Sequence, residues 1–210
     1  MKRALIVVDI QNDFLPGGAL AVPEGDTILP FVVDLMRNGT QYDLLVVTQD
    51  WHPKDHGSFA STHNGGIPFQ TGELSGLPQM LWPDHCVEGT SGANLAGDIE
   101  EVLSETTASD RQVKVHKIKK GQDSNVDSYS AFFDNARRHD TGLRTILDEH
   151  GIIEVDVVGL ALDYCVKYTA LDAASLGFRT RVLLLGSRAV DPASLPAVCD
   201  ELSNAGVVCI

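Results

Sequence analysis

Cysteine is scarce and scattered: Cys86, Cys165, Cys199 and Cys209 are the four in 210 residues, and no two form a CxxC pair. That excludes a disulfide framework and a cysteine-built structural zinc site, and it suits a reducing cytoplasm. Basic charge is also short, with 16 Lys and Arg against 29 Asp and Glu, for a net charge of -13. Nucleic acid and anionic membrane surfaces would repel such a chain, so neither is expected as a partner. No run approaches the roughly 18 apolar residues of a membrane-spanning helix. The early run "ALIVV" is interrupted by Asp9 and is too short for a signal-peptide core, so a first strand is expected there. Repeats, low-complexity tracts and linkers are missing too, which at this length predicts one domain, 1–210.

What is present is alternation. Strands are expected at Arg3 to Asp9, Asp43 to Asp50, Gln112 to Ile118, Val155 to Ala161 and Arg179 to Gly186, with "AGVVCI" at the end as a sixth. Their near-continuous apolar character predicts burial on both faces, as in parallel sheets. Helices are expected at about Asp26 to Asn38, Gly92 to Ser104, Thr141 to His150, Asp163 to Leu176 and Pro192 to Ala205. The order predicts right-handed βαβ units and a doubly wound, three-layer α/β/α sandwich. Two stretches, Trp51 to Gly92 and Lys119 to Asp140, are too long for ordinary connections and read as functional loops.

In an open parallel sheet, ligands bind beyond the carboxyl ends of the strands. Four consecutive strand ends here carry chemistry: Asp9, then Asp50 with His52 and His56, then the Lys117, Lys119 and Lys120 cluster, then "ALDYC". Cys165 falls in the first turn of a helix, where unpaired N–H groups favour a thiolate and can hold an oxyanion. As a nucleophile it needs a proton acceptor and a cation, which Asp9 and Lys120 could supply. An Asp9 partly out of water would have a raised pKa, which suits acid–base work. In extended chain, Asp50 and His52 project to one side and can share a metal, with His85 in "WPDHCVEGT" as a further imidazole. Such a set leaves open positions, as in catalytic sites. Phe14, Trp82, Tyr129 and Phe132 could wall a flat ligand; Phe133 reads as a loop anchor. His63, His116, His139 and His150 read as surface residues.

"VVDIQNDFLPGGALAVPEGD", "TQDWHPKDHGSFAS", "LPQMLWPDHCVEGT", "KKGQDSNVDSYSAFFDN" and "VVGLALDYCVKYTALDA" together resemble the nicotinamidases of the isochorismatase-like (cysteine hydrolase) superfamily, in matching order from about Lys2 to Arg188. The resemblance implies a six-stranded parallel sheet with helices on both sides and an Asp–Lys–Cys triad of Asp9, Lys120 and Cys165. It also implies a divalent metal on Asp50, His52 and His85, with His56 as a candidate further ligand. The metal would be zinc, with Fe2+ or Mn2+ also fitting, and no redox or nucleotide cofactor would be needed. The implied substrate is nicotinamide, its ring walled by Phe14, Trp82 and Tyr129 and its oxyanion held by the amides of Ala161 and Cys165. The peptide before Ala161 is cis in relatives. Two features depart from the family pattern. Leu162 stands where Thr is usual, and three lysines stand where one is common; spacing to "VDSYSAF" favours Lys120, with Lys117 next. Another small amide of the N-carbamoyl type is the alternative substrate, and a non-catalytic scaffold the third reading. The oligomeric state stays open, a homo-oligomer included.

Overall fold

The computed structural model describes residues 1–108 and 113–210. The first half of the chain runs β1 (Arg3–Val8), α1 (Leu29–Asn38), β2 (Leu44–Asp50), β3 (Thr71–Leu74), β4 (Leu77–Met80) and α2 (Gly97–Ala108). The second half continues with β5 (Lys114–Lys120), α3 (Leu143–Glu149), β6 (Glu154–Leu160), α4 (Lys167–Ser175), β7 (Arg179–Arg188), α5 (Leu195–Asn204) and β8 (Val208–Cys209). Six strands form one parallel sheet in the order β5-β2-β1-β6-β7-β8.

The reason for the near-continuous apolar runs is visible in the packing. Every residue of β2, and β1 from Ala4 onward, is buried. Ala4, Ile6, Val8 and Val46 face a core shared with Leu143 and Leu147 of α3, Ala170 and Ala173 of α4, and Val198 and Leu202 of α5. Leu5, Val7, Leu45 and Val47 face the opposite core with Val32 and Met36 of α1 and Ile99 and Val102 of α2. Each such aliphatic side chain contributes roughly 1.5–3 kcal/mol relative to exposure, so two-sided burial is what holds the central strands.

Strand order also places the site. From β1 the chain moves to one side through β2 and β5, then returns to lay β6 on the other side of β1. That reversal opens a crevice above the carboxyl ends of β1 and β6. Gly159 permits the close approach there: its φ is +125°, and a Cβ would sit 2.0 Å from the Val8 carbonyl oxygen. At the same point the β6–β7 register slips, Val157 pairing with Val182 but Gly159 with Ser187.

Several boundaries differ from expectation for local reasons. β1 stops at Val8 because Asp9 takes a positive φ of 49°. α1 begins at Leu29, after a short 3-10 turn over Gly25–Ile28, with Pro30 in its first turn. α2 starts at Gly97 rather than Gly92, since Asn94 and Ala96 donate their N–H groups to Ser91 and Ile10 in a loop. The strand expected from Gln112 is found from Lys114 and runs on to Lys120; Gln112 itself lies outside the described residues. A hairpin, β3–β4, occupies part of the long first loop, turning through Ser75 and Gly76, both at positive φ. The helix expected from Asp163 opens as a π-helical turn over Leu162–Val166 before α4 begins. No helix among the described residues is long and apolar enough to cross a membrane.

Candidate active site

Four strand ends bring four ionisable side chains together. Asp9 follows β1, Asp50 ends β2, Lys120 ends β5, and Cys165 sits in the π-helical turn after β6. All four are buried, Lys120 with its side chain fully out of solvent. Its Nζ donates to the Ser128 carbonyl at 2.9 Å, to Cys165 Sγ at 3.3 Å and to Asp50 Oδ1. The same ammonium lies 2.9 Å from Asp9 Oδ2, an ion pair not aligned as a hydrogen bond, so that oxygen has no aligned donor. Oxygen atoms of Asp9 and Asp50 and the Cys165 sulfur all lie within 4.8 Å of one another.

Lys120 is therefore the lysine of this cluster. Lys117 points outward to Glu100 at 2.9 Å, and Lys119 covers the Trp51 ring at 3.4 Å. The alternation of a strand explains the choice: Ile118 and Lys120 share the inner face, while Lys117 and Lys119 face solvent.

Electrostatics follow from two acids around one base. Burial opposes the Lys120 charge, but Asp50 and Asp9 outweigh it and hold the ammonium well above its ordinary pKa. Burial raises the Asp9 carboxyl, Lys120 pulls it back and Asp50 pushes it up again, leaving it above its ordinary value. For Asp50 burial is opposed by Lys120 and His52, and its pKa falls well below the ordinary value. Burial raises the Cys165 thiol, against Lys120, so the resting group is a neutral thiol beside an acceptor carboxylate.

Neighbours absent from the sequence reading fix these groups. Thr48, two residues before Asp50 on β2, donates its hydroxyl to Asp9 Oδ1 at 2.5 Å and accepts the Asp9 N–H at 3.2 Å. Gln11 grips Asp50 on both sides, donating to its carbonyl and accepting its N–H, each at 2.8 Å. Asp163 accepts the N–H groups of Val190 and Asp191 at 2.9 Å, tying the Cys165 turn to the chain after β7. In that turn the Ala161 carbonyl accepts from Tyr164 and Val166, with Cys165 between them not among its donors. The Leu160–Ala161 peptide is cis, as the resemblance implied. Leu162 is buried in a cavity of ≈ 410 Å³ behind the turn, so the residue that departs from the family pattern faces away from Lys120 and Asp9, among Leu184 and Leu195.

Beside the acids stands a ligand set. His52 Nε2 and His85 Nε2 lie 3.6 Å and 3.8 Å from Asp50 Oδ2. The Nδ1 of His52 faces the Gly121 carbonyl and that of His85 the Pro83 carbonyl, both at 2.8 Å. A carbonyl only accepts, so each Nδ1 carries a proton; in the neutral ring Nε2 then presents a lone pair, the tautomer a metal requires. Gly121 must be glycine, because a Cβ there would strike the His52 ring at 2.4 Å. These donors suit a divalent cation. His56, the candidate further ligand, lies beside His52, 4.2 Å between ring centroids, and forms with His52 and Asp127 a second group that could hold a cation; its Nδ1 accepts the Ser58 N–H, and its Nε2 is buried without a partner. Burial and the nearby His52 lower its pKa to about 4.

Phe14, Trp82 and Tyr129 line a narrow cleft of ≈ 20 Å³ with Asp50, His85, Ala161 and Cys165. Tyr164 completes the aromatic wall, 4.7 Å edge-on from Trp82 and 5.4 Å from Tyr129, centroid to centroid. The Tyr129 hydroxyl accepts from Trp82 Nε1 at 3.3 Å and Gln79 Nε2 at 3.1 Å. Tyr164 precedes Cys165 in the chain, which was the available signal for it; Gln79 and Asp127 carried none. Phe132 lies in the core beneath the loop, away from the cleft, and Phe133 is capped by Arg137. Of the four histidines expected on the surface only His139 is exposed. His63 donates its Nε2–H to the Gly57 carbonyl at 2.7 Å, and His116 meets His150.

A buried cysteine, lysine and two aspartates at the switch point of a parallel sheet define a cysteine hydrolase. The chain belongs to the isochorismatase family: the isochorismatase domain model matches residues 3–210. The nicotinamidase of Escherichia coli K12 is 44% identical, over 97% of this chain and 92% of that protein. The structure of the yeast nicotinamidase bound to the inhibitor nicotinaldehyde superposes with a TM-score of 0.92 at 36% identity, covering 99% of each chain. The pyrazinamidase of Pyrococcus horikoshii, solved in complex with zinc, gives 0.75 at 33% identity, covering 100% of this chain and 99% of that one.

Proposed function

We propose that the chain is a nicotinamide amidohydrolase that works through a thioester on Cys165. The observation that carries this is the Lys120 ammonium, held between Asp9 and the Cys165 sulfur at the foot of an aromatic cleft. Phe14, Trp82 and Tyr129 sandwich a flat ring, and Tyr164 closes one side. Asp50, His52 and His85 would hold a divalent metal, which we infer to be zinc, with Fe2+ and Mn2+ as alternatives. When bound it supplies a Lewis-acid anchor for a ring nitrogen.

The chain's own groups carry the bond changes. Asp9 Oδ2, which has no aligned donor, accepts the thiol proton as sulfur attacks the carboxamide carbon. Lys120 balances the charges on sulfur and carboxylate. The C=O electron pair moves onto oxygen, and the amides of Ala161 and Cys165 hold that oxyanion. As it collapses the C–N bond breaks, and Asp9 passes its proton to the leaving nitrogen, which departs as ammonia. Water then attacks the thioester, giving a proton to Asp9. The C–S bond breaks, nicotinate leaves, and sulfur recovers the proton.

Four free cysteines fit a reducing compartment, and we place the enzyme in the cytoplasm, acting as one domain. The test is ammonia release by zinc-loaded protein from nicotinamide and from N-carbamoyl amides. Preference for nicotinamide supports the reading, whereas release from the carbamoyl compounds alone, or from none, removes it.

A further inference from the structure

We propose that His116 and His150 form a second, peripheral site for a divalent transition-metal cation of the imidazole-binding class, such as Zn2+, Ni2+ or Cu2+. His116 lies on the edge strand β5, on the same face as Ile118 and Lys120, and His150 caps the C-terminal end of α3. Both are half-buried, and their Nε2 atoms approach to 3.3 Å with the rings edge to face, 5.4 Å between centroids. Two imidazole lone pairs cannot face each other at that separation unshared. Either one ring donates a proton to the other or a cation lies between them.

The spacing fits a cation. Two nitrogens each about 2.0–2.1 Å from a tetrahedral ion stand about 3.3–3.4 Å apart, so neither ring needs to move far to bind one. The pair is contributed by two elements already fixed by the core: β5 is laddered to β2 from Lys114 to Lys120, and α3 is anchored by Leu143 and Leu147. Burial and the neighbouring His150 lower the His116 pKa, so its ring is a neutral donor near pH 7, and the Glu149 carboxylate adds negative charge beside it. Four residues separate His116 from Lys120, about 13 Å along a strand, so the pair is no part of the catalytic cleft. A cation there would fasten the edge strand to α3 and raise stability by mass action.

The test starts from enzyme whose Asp50–His52–His85 set is already loaded with zinc, to which Cu2+ alone is added. Expected are one further equivalent by equilibrium dialysis, nitrogen hyperfine from two imidazoles in the electron paramagnetic resonance spectrum, and a higher melting temperature. His116→Gln and His150→Gln should each weaken that equivalent tenfold or more and cancel the rise in melting temperature, while ammonia release is unchanged. His63→Gln and His139→Gln should bind as the parent does. A wild-type protein that takes no further equivalent, or His116 and His150 variants that take it with parental affinity, overturns the proposal. A Ni2+-soaked crystal supplies an independent check: an anomalous peak between the two Nε2 atoms supports the site, and peaks only elsewhere refute it.

Discussion

Removing the Lys120 charge, by Lys120→Met, exposes how the two acids are tolerated. In the native site one ammonium sits against Asp9, 2.9 Å away, and against Asp50, with none of the three accessible to solvent beyond a few per cent. At that separation and an effective dielectric near 20, a single attraction is about 6 kcal/mol before the cost of burial is subtracted. Deleting one partner of a buried pair costs about 3–5 kcal/mol, because the stranded charge stays buried. That is a large share of a domain stability of about 5–15 kcal/mol. A cation on Asp50 offsets part of the loss, so the effect is largest in metal-free protein. The pH dependence has a definite sign. Burial already raises Asp9 above its ordinary value, and loss of Lys120, the group that pulls it down, raises it further. The folded variant then holds a proton that the unfolded chain releases, so its stability falls as pH rises from about 4 through the raised value. Urea unfolding followed by far-UV circular dichroism at pH 5 and pH 8 should show the gap from wild type widening with pH. Adding Asp9→Asn should recover more than half of it at pH 8. A gap under about 1 kcal/mol at pH 8, or one that does not change with pH, refutes the charge balance described for this site.

Other consequences are independent of that experiment. Thr48→Val removes the hydroxyl that stabilises ionised Asp9, so the acid limb of kcat/KM, which the proposed mechanism assigns to deprotonation of Asp9, should move to higher pH; an unmoved limb assigns it to another group. Leu162→Thr exchanges a buried apolar side chain for a hydroxyl and should cost about 2–3 kcal/mol by urea titration. Its turnover should stay within about threefold of the parent, because the proposed oxyanion donors are backbone amides, and a hundredfold change would implicate the side chain. At the far end of the sheet, buried Asp156 accepts from the Tyr42 hydroxyl at 2.8 Å and from Arg181 at 2.7 Å and 2.6 Å. Asp156→Ala should cost about 3 kcal/mol, the lower end for a buried pair because Arg181 is one-third exposed, and leave KM for the amide unchanged.

Much of this was legible in the chain because strand ends are local features. An apolar run stopping at an acid or at "ALDYC" declares both the strand and what stands at its mouth, and a parallel sheet gathers those mouths. The identity of the lysine also follows from period-two alternation once the strand's limit is known. Less legible were the groups that act across the fold. Thr48 and Gln11 look like ordinary strand and loop residues until β1 lies beside β2, and Asp127 and Gln79 meet only because two long loops cover the same cleft. The hairpin at Thr71–Met80 was missed because its strands are only four residues each, with Thr71 their one β-branched residue, although the Ser-Gly pair between them was a usable turn signal. His116 and His150 read as surface residues because 34 positions separate them, and only the packing of α3 on β5 brings their rings together.

The central claim is that Cys165 is the nucleophile, with Asp9 and Lys120 serving it. Steady-state ammonia release from nicotinamide by Cys165→Ala, with the fold verified by circular dichroism and the metal content matched to wild type, tests that most directly. Turnover should drop to background with thermal stability within about 1 kcal/mol of the parent, since a sulfur is exchanged for hydrogen in a buried site. Ammonia release by that variant at a rate near the parent's would contradict the account.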